Sequence, residues 1–362
     1  MFRYLPVMTL TALPAAADVP NVVTDILPVH SLVSQVMEGV GAPAVLVDGE
    51  ASPHSFSLRP SQAVALQEAD LVLWIGEGLT PWLADPLEAL AGNAHHVALL
   101  DLAGTRVLEA RDLEDFAEAG HDETEEHGHD EHAHDEHGHD GHGHDDHEEH
   151  AHEDDAHDNH GHDDHDAHGH DDHDDHDDDH AGHEGHDHGP NDPHAWLAPD
   201  NAVYWLGAIA AELSELDPDN AALYQANATA AITEIEAATA SIRSQVATVS
   251  EQDYLVFHDA YQYFEDTFGI SARAVLAIGD ATPPGPAQIN EIQNVVRAEN
   301  IVCAFAEPQF SSRMVDTVIE GTEVRTAVLD PIGSAQAEGG ALYLGMLNDL
   351  ANALVECLSE DG

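Results

Sequence analysis

The stretch Asp217–Ser250, DPDNAALYQANATAAITEIEAATASIRSQVATVS, decides the fold. Asp217 followed by Pro218 reads as an N-cap with proline at the first helical position. Tyr224, Ala228, Ala231, Ile235, Ala238, Ile242, Val246 and Val249 then step by three or four residues, with no Gly or Pro between them. A helix of roughly thirty residues spans about 45 Å. That length suits a strut joining two lobes better than a helix inside one small domain.

On both sides of the strut, short apolar runs alternate with helical stretches. Upstream, residues 21–29 (NVVTDILPV), 43–49 (PAVLVDG), 71–76 (LVLWIG) and 95–102 (HHVALLDL) read as strands, with helices through Ser31–Glu38 and over SQAVALQEA, capped by Ser61. Asp200 caps a helix whose Val203, Leu206, Ile209, Ala210 and Leu213 share one face. Downstream, DYLVFHDA, SARAVLAI, IVCAFAE and TAVLD read as strands, with helices near 287–298, 311–320 and 340–357. Alternation of this kind builds βαβ units and mostly parallel sheets. The expectation is an α/β protein of two lobes, each a mostly parallel sheet flanked by helices, joined by one long linking helix. The boundaries read as an N-terminal lobe at 18–216, the linking helix at 217–250 and a C-terminal lobe at 251–362.

Residues 118–190 break the alternation. Of 30 His in the chain, 24 lie between His121 and His188, among 29 Asp or Glu and no Arg. Nothing in that run offsets chain entropy, so it is expected to be a disordered insertion. Over the whole chain, 71 acidic residues face 9 basic ones, all Arg, for a formal charge of −62. Such a charge excludes non-specific binding to nucleic acid or to an anionic membrane. The 43% hydrophobic content excludes a wholly disordered chain.

The N-terminus has the form of a secretory signal: a short basic MFR, an apolar Tyr4–Leu13, and Ala15-Ala16-Ala17 as cleavage site. No other segment approaches the ~20 apolar residues that span a bilayer. An exported, periplasmic chain cleaved near Ala17 follows, with no membrane insertion of the mature protein. Export also permits a disulfide. For Cys303 and Cys357, each in an apolar stretch, the residues alone leave a bridge and two buried thiols open.

Six His lie outside the acidic run: His30, His54, His95, His96, His194 and His258. His258 ends a strand, as Asp330 does in TAVLDPIG, and His54 follows one; His194 sits in the Pro-flanked loop NDPHAWLAPD. Ligands of open α/β sheets bind beyond the carboxyl ends of strands, so a cleft between lobes would gather these four. Three imidazoles with a carboxylate or water suit tetrahedral Zn²⁺ and disfavour Mg²⁺ and Ca²⁺. For Asp330, a turn residue before Pro331 is the competing reading. A zinc hydrolase would use the same ligand number, but no HExxH or comparable local His–acid motif supplies a general base.

The strings ASPHSFSLRPS, DPHAWLAPD, FHDAYQYF, FAEPQF and DPIG resemble the zinc-binding components of bacterial zinc-uptake ABC transporters, a group of solute-binding proteins with a helical backbone between their lobes. The likeness covers essentially all of the mature chain, including the acidic His-rich insertion between the first and second metal His. It implies a monomeric binding protein, not an enzyme, that captures Zn(II) and delivers it to a membrane ABC permease. It implies the metal set His54, His194, His258 and Asp330, the last at a position where many relatives place a carboxylate ligand and others use water. Related manganese and iron receptors offer a carboxylate where this chain has His258; nitrogen in place of oxygen favours Zn²⁺. The resemblance also implies pairing of Cys303 with Cys357. His30 is expected at a helix terminus, lining the cleft or solvated, and His95 and His96 on the surface. Glu307 is expected to orient loops rather than bind metal, and Trp74, Trp82 and Trp196 to pack in the core or between lobes. The His-rich run would hold additional, weakly bound Zn(II), with a periplasmic zinc buffer as the alternative function.

Overall fold

The computed structural model describes residues 19–49, 51–111, 116, 190–277 and 285–359. The expected signal peptide, and the expected disordered insertion save Pro190, lie outside them.

The first lobe is a four-stranded parallel sheet. β1 (Val22–Thr24), β2 (Ala44–Val45), β3 (Leu71–Trp74) and β4 (His95–Ala98) run in the order β2-β1-β3-β4. Thr24 pairs with Val45 on one side and Leu73 on the other. Helices α1 (Leu27–Val36), α2 (Pro60–Gln67) and α3 (Ala84–Leu90) make the crossovers. Then come α4 (Pro199–Leu216) and the long α5 (Ala221–Val246). The second lobe repeats the plan: β5 (Tyr254–His258), α6 (Gln262–Phe268), β6 (Ala274–Ala277), α7 (Pro286–Ala298), β7 (Cys303–Ala306), α8 (Arg313–Val318), β8 (Arg325–Val328) and α9 (Leu342–Leu358). Its parallel order is β6-β5-β7-β8. In both sheets the order reverses beside the first strand, so β1 and β5 end at the switch points where such sheets bind ligands.

Strand residues point alternately to opposite faces. Val22, Leu71 and Leu73 join the central core with Tyr254 and Val256 of the second sheet, while Val23, Val72 and Trp74 line one outer layer and Leu255 and Phe257 the other. Sheets covered on both faces explain why the strands read as unbroken apolar runs. The central core is continuous across the lobes, because α1, α4, α5 and α9 contribute to it together.

Several expected boundaries shift. The run 21–29 is a strand only to Thr24; α1 begins at Leu27 with Pro28 in its first turn, since proline fits the first helical turn and lacks the N–H a strand would need. Pro60 and Pro199 likewise lie at the starts of their helices, so Arg59 and Ala198 are the caps, and Ser61 and Asp200 fall inside the first turn. The main-chain N–H of Arg59 donates to Gln62 Oε1 at 2.7 Å. Asp217 is the C-cap of α4, and α5 begins at Ala221 behind Asn220. The strut therefore has 26 residues, about 39 Å, with Thr239 rather than Ala238 on its buried stripe. The Thr239 hydroxyl is satisfied by donating to the Ile235 carbonyl at 2.7 Å. The apolar HHVALLDL run turns into a 3-10 segment after Ala98.

Cys303 and Cys357 form a disulfide from β7 to α9, with Cα atoms 6.0 Å apart. Among the described residues, no helix is long and apolar enough to cross a membrane.

Candidate metal centre

Three imidazoles converge where the lobes meet. His54 follows β2 on a loop held from below: Trp82 Nε1 donates to the Pro53 carbonyl at 2.7 Å, and the Trp82 ring packs on Phe56. His194 precedes a 3-10 turn whose Trp196 donates from Nε1 to the Pro331 carbonyl at 2.7 Å. The Tyr343 hydroxyl donates to the Trp196 carbonyl at 2.8 Å, which ties the His194 segment to the second lobe. His258 is the last residue of β5, at that sheet's switch point. All three are buried.

His54 Nε2 lies 3.2 Å from His194 Nε2, which lies 3.4 Å from His258 Nε2. One ligand atom from each residue falls within 4.8 Å of the others. Three nitrogens on a tetrahedral Zn²⁺ with Zn–N bonds near 2.05 Å would stand about 3.3 Å apart. Two of the imidazoles are oriented by carboxylates. His194 Nδ1 is 2.7 Å from Asp192 Oδ1, and His258 Nδ1 is 2.7 Å from Glu307 Oε1. A neutral imidazole that donates its Nδ1–H to a carboxylate presents a lone pair at Nε2. In that tautomer His194 and His258 would aim their Nε2 lone pairs at each other across 3.4 Å. A shared cation turns that contact from repulsive to binding.

A cavity of about 10 Å³ adjoins the triad, lined by Ser52, Trp196, Gln309, Phe310 and Ile332 among others. That is about the room one water-sized group needs. Phe310 stacks on Phe257, with centroids 4.6 Å apart, and meets the His258 ring edge-on. Apolar walls of this kind exclude bulk water and strengthen the electrostatics inside.

Asp330 is not in the group of ligand atoms that lie within 4.8 Å of one another. Its Oδ1 accepts the main-chain N–H groups of Ile332 and Gly333 and a Gln309 amide N–H at 3.3 Å; its Oδ2 accepts the Ser334 hydroxyl at 2.6 Å and the Ala335 N–H. The carboxylate thus organises the loop that follows β8. Glu307 contacts an imidazole instead of acting only on loops, and the buried Tyr261 hydroxyl feels both Glu307 and Asp330; burial and then these charges push it well above the ordinary phenol range.

Asp192 and Arg111 carry weight that sequence reading missed. Asp192 Oδ1 also accepts the His194 main-chain N–H at 2.9 Å, so the signal was the acid two residues before a His in NDPH. Arg111 pairs with Asp259, next to His258, and donates to Glu265 at 2.8 Å. Burial pushes both carboxyls up while the Arg111 guanidinium opposes it. His30 lies in the first turn of α1, at a helix terminus as expected, but it is buried rather than solvated, and burial lowers its basicity. His95 is exposed and pairs with Glu212, whereas His96 is half-buried beside the Ala91 carbonyl. Trp74 lies in the outer core of the first lobe and Trp196 in the central core.

Residues 22–357 match the family model described as zinc-uptake complex component A, periplasmic. The chain is 43% identical over 351 residues to the high-affinity zinc uptake system protein ZnuA of Paracoccus denitrificans, covering 97% of this chain and 95% of that one. It is 39% identical over 345 residues to the protein of the same name from Brucella suis, covering 95% and 93%. Among solved structures, a crystal structure of ZnuA superposes with a TM-score of 0.65 at 19% identity, over 94% of this chain and 100% of that one. A Pseudomonas aeruginosa solute-binding protein, FpvC, solved with Mn²⁺, gives 0.66 at 17% identity, over 95% and 99%. At those identities the structural likeness speaks for the fold.

Proposed function

The chain belongs to the zinc-uptake complex component A family of periplasmic proteins, and on that premise we propose that it captures Zn²⁺ between its lobes and hands it to a membrane ABC permease. Members of this family bind and carry zinc as part of an uptake system; they are not enzymes. The proposed ligands are His54, His194 and His258. One observation carries the assignment: three buried imidazoles with ligand atoms within 4.8 Å of one another, His194 Nε2 lying 3.2 and 3.4 Å from the other two Nε2 atoms, and two of the rings facing carboxylates through Nδ1. Asp330 is left outside this set, because both of its oxygens already accept donors of its own loop, and a fourth ligand would enter from the adjoining cavity. An all-imidazole protein set favours Zn²⁺ over Mn²⁺.

The remaining features of the proposal follow from the sequence. The lobes are 18–216 and 251–362, joined by the helix within 217–250. A signal peptide is removed near Ala17, and the run 121–188 holds further Zn²⁺ weakly as an accessory. The test is titration of the mature protein lacking residues 121–188 with Zn²⁺, with Mn²⁺ as competitor, by calorimetry and native mass spectrometry. One tightly bound Zn²⁺ that Mn²⁺ does not displace, lost in His258→Ala, is the expected result. No tight site in the shortened protein would move the function to the His-rich run and make the protein a buffer.

A further inference from the structure

Beside the triad, two loops from opposite lobes pack closely at Gly49 and Ser334. Gly49, after β2, has φ +55°, and a Cβ there would meet Ser334 Cβ at 2.8 Å, Ser334 Cα at 2.9 Å and Leu27 Cδ1 at 2.9 Å. Only a residue without a side chain allows that approach at that backbone angle. The Gly49 carbonyl accepts a hydrogen bond from Gln309 Nε2 at 3.2 Å, and the same amide nitrogen donates to Asp330 Oδ1 at 3.3 Å. One amide group thus bridges the first lobe to the carboxylate that organises the loop of the second.

Each side of the contact is anchored to its own lobe. Upstream of Gly49, the Val47 N–H donates to the Asp25 carbonyl at 2.8 Å, and Asp48 accepts from Arg59 Nη1 at 2.7 Å. Across from it, Asp330 gathers the N–H groups of Ile332, Gly333 and Ala335 and the Ser334 hydroxyl. Among the described residues, Gln309 Oε1 is buried with no hydrogen-bond partner. A buried acceptor left so is costly, so the residue is held in place for what its Nε2 end does. Gln309 lines the same cavity as His54, His194 and His258.

We propose that Gly49 and Gln309, anchored by Asp330, form a clasp between the lobes that sets how fast bound zinc leaves the site. This rests on the reading of the triad as the zinc site and adds to it the residues that govern retention. Asp330 then acts through Gln309 as a positioning residue. With the clasp made, the His54 loop is fixed against the lobe that carries His258; with it broken, His54 is free to move away and the metal is exposed to water.

The test uses the mature full chain loaded with one equivalent of Zn²⁺, with release followed by stopped-flow transfer to a chromophoric chelator. Gln309→Met keeps length and burial but cannot donate. It is expected to release zinc about fivefold faster, the equivalent of one ordinary hydrogen bond. Gly49→Ala is expected to release faster still, because the Ser334 main chain must give way. Association rates should stay within about twofold of wild type, which separates a clasp from damage to the ligands. A shared defect in folding would lower the melting temperature of both zinc-free variants; expected melting is close to wild type for Gln309→Met. Wild-type release rates in both variants, with zinc still tightly held by the wild-type protein, would overturn the clasp alone. Failure of the wild-type protein to retain zinc would overturn the site and the clasp together.

Discussion

Glu307→Gln probes how the triad is held. Glu307 is 3% exposed, and its Oε1 lies 2.7 Å from His258 Nδ1. Glutamine keeps the length and one acceptor but removes the charge. Only an interaction that strengthens when zinc binds affects affinity. A metal on Nε2 makes Nδ1–H a better donor, so the bond to a carboxylate gains on binding and the bond to an amide gains less. With a Zn–N bond near 2.1 Å, an imidazole about 2.2 Å across and the hydrogen bond beyond it, the carboxylate stands roughly 6–7 Å from the ion. A unit charge that far from a dication attracts by about 5 kcal/mol at an effective dielectric of 20, an upper guide. Orienting carboxylates in metal sites typically account for 10–100-fold in affinity, about 1.4–2.8 kcal/mol. The expected result is therefore Zn²⁺ affinity at least about tenfold weaker in Glu307→Gln. The assay is chelator competition at pH 8, above the ordinary histidine pKa, so that protons do not compete. Asp192→Asn should do the same through His194. Affinity within twofold of wild type in a variant with unaltered melting would refute the reasoning, and would mean that packing alone orients His258.

Reduction of the Cys303–Cys357 bridge, which spans 54 residues, should lower the unfolding free energy by up to about 4 kcal/mol; urea denaturation with and without reductant measures it, and a loss below about 1 kcal/mol would count against the loop-entropy account. Arg111→Met leaves Asp259 and Glu265 buried without their cation, and should destabilise the fold by about 3–5 kcal/mol at neutral pH; the loss should shrink toward pH 5 as the carboxyls take up protons, and a loss equal at both pH values would contradict the charge argument. Asp25 is fully buried at the end of β1, and burial pushes its carboxyl up to about 7 despite hydrogen bonds from the Ile26 and Ile75 N–H groups. Its folded pKa lies above the unfolded value, so the native state binds more protons between about pH 4 and 7 and this contribution to stability falls as pH rises through that window, by about 1.4 kcal/mol per unit. Asp25→Asn should remove that slope, and parallel stability–pH curves for the two proteins would refute it.

Sequence alone determined those parts that periodicity records. The 3.6-residue stripe from Tyr224 to Val246 defined the long helix, and the unbroken apolar runs at 71–74 and 254–257 defined strands covered on both faces. It also supplied the three imidazoles, because His54, His194 and His258 stand in short, specific strings. Boundaries drifted wherever proline intervened, as at Pro28, Pro60 and Pro199, since a propensity scan sees an apolar run and not the missing N–H that starts a helix within it.

What the tertiary structure decided is what lies across long sequence separations. His54 and His194 are 140 residues apart in the chain, and His194 and His258 are 64 apart; the packing of two sheets around α4 and α5 brings their Nε2 atoms to metal spacing. The same packing turned Asp330 inward to its own loop, faced Glu307 toward an imidazole, and pressed Gly49 against Ser334. A residue's type fixes what its side chain can donate, accept or ligate. Which of these it does depends on the atoms that the fold brings within 3 Å, and those come from segments that no local pattern connects.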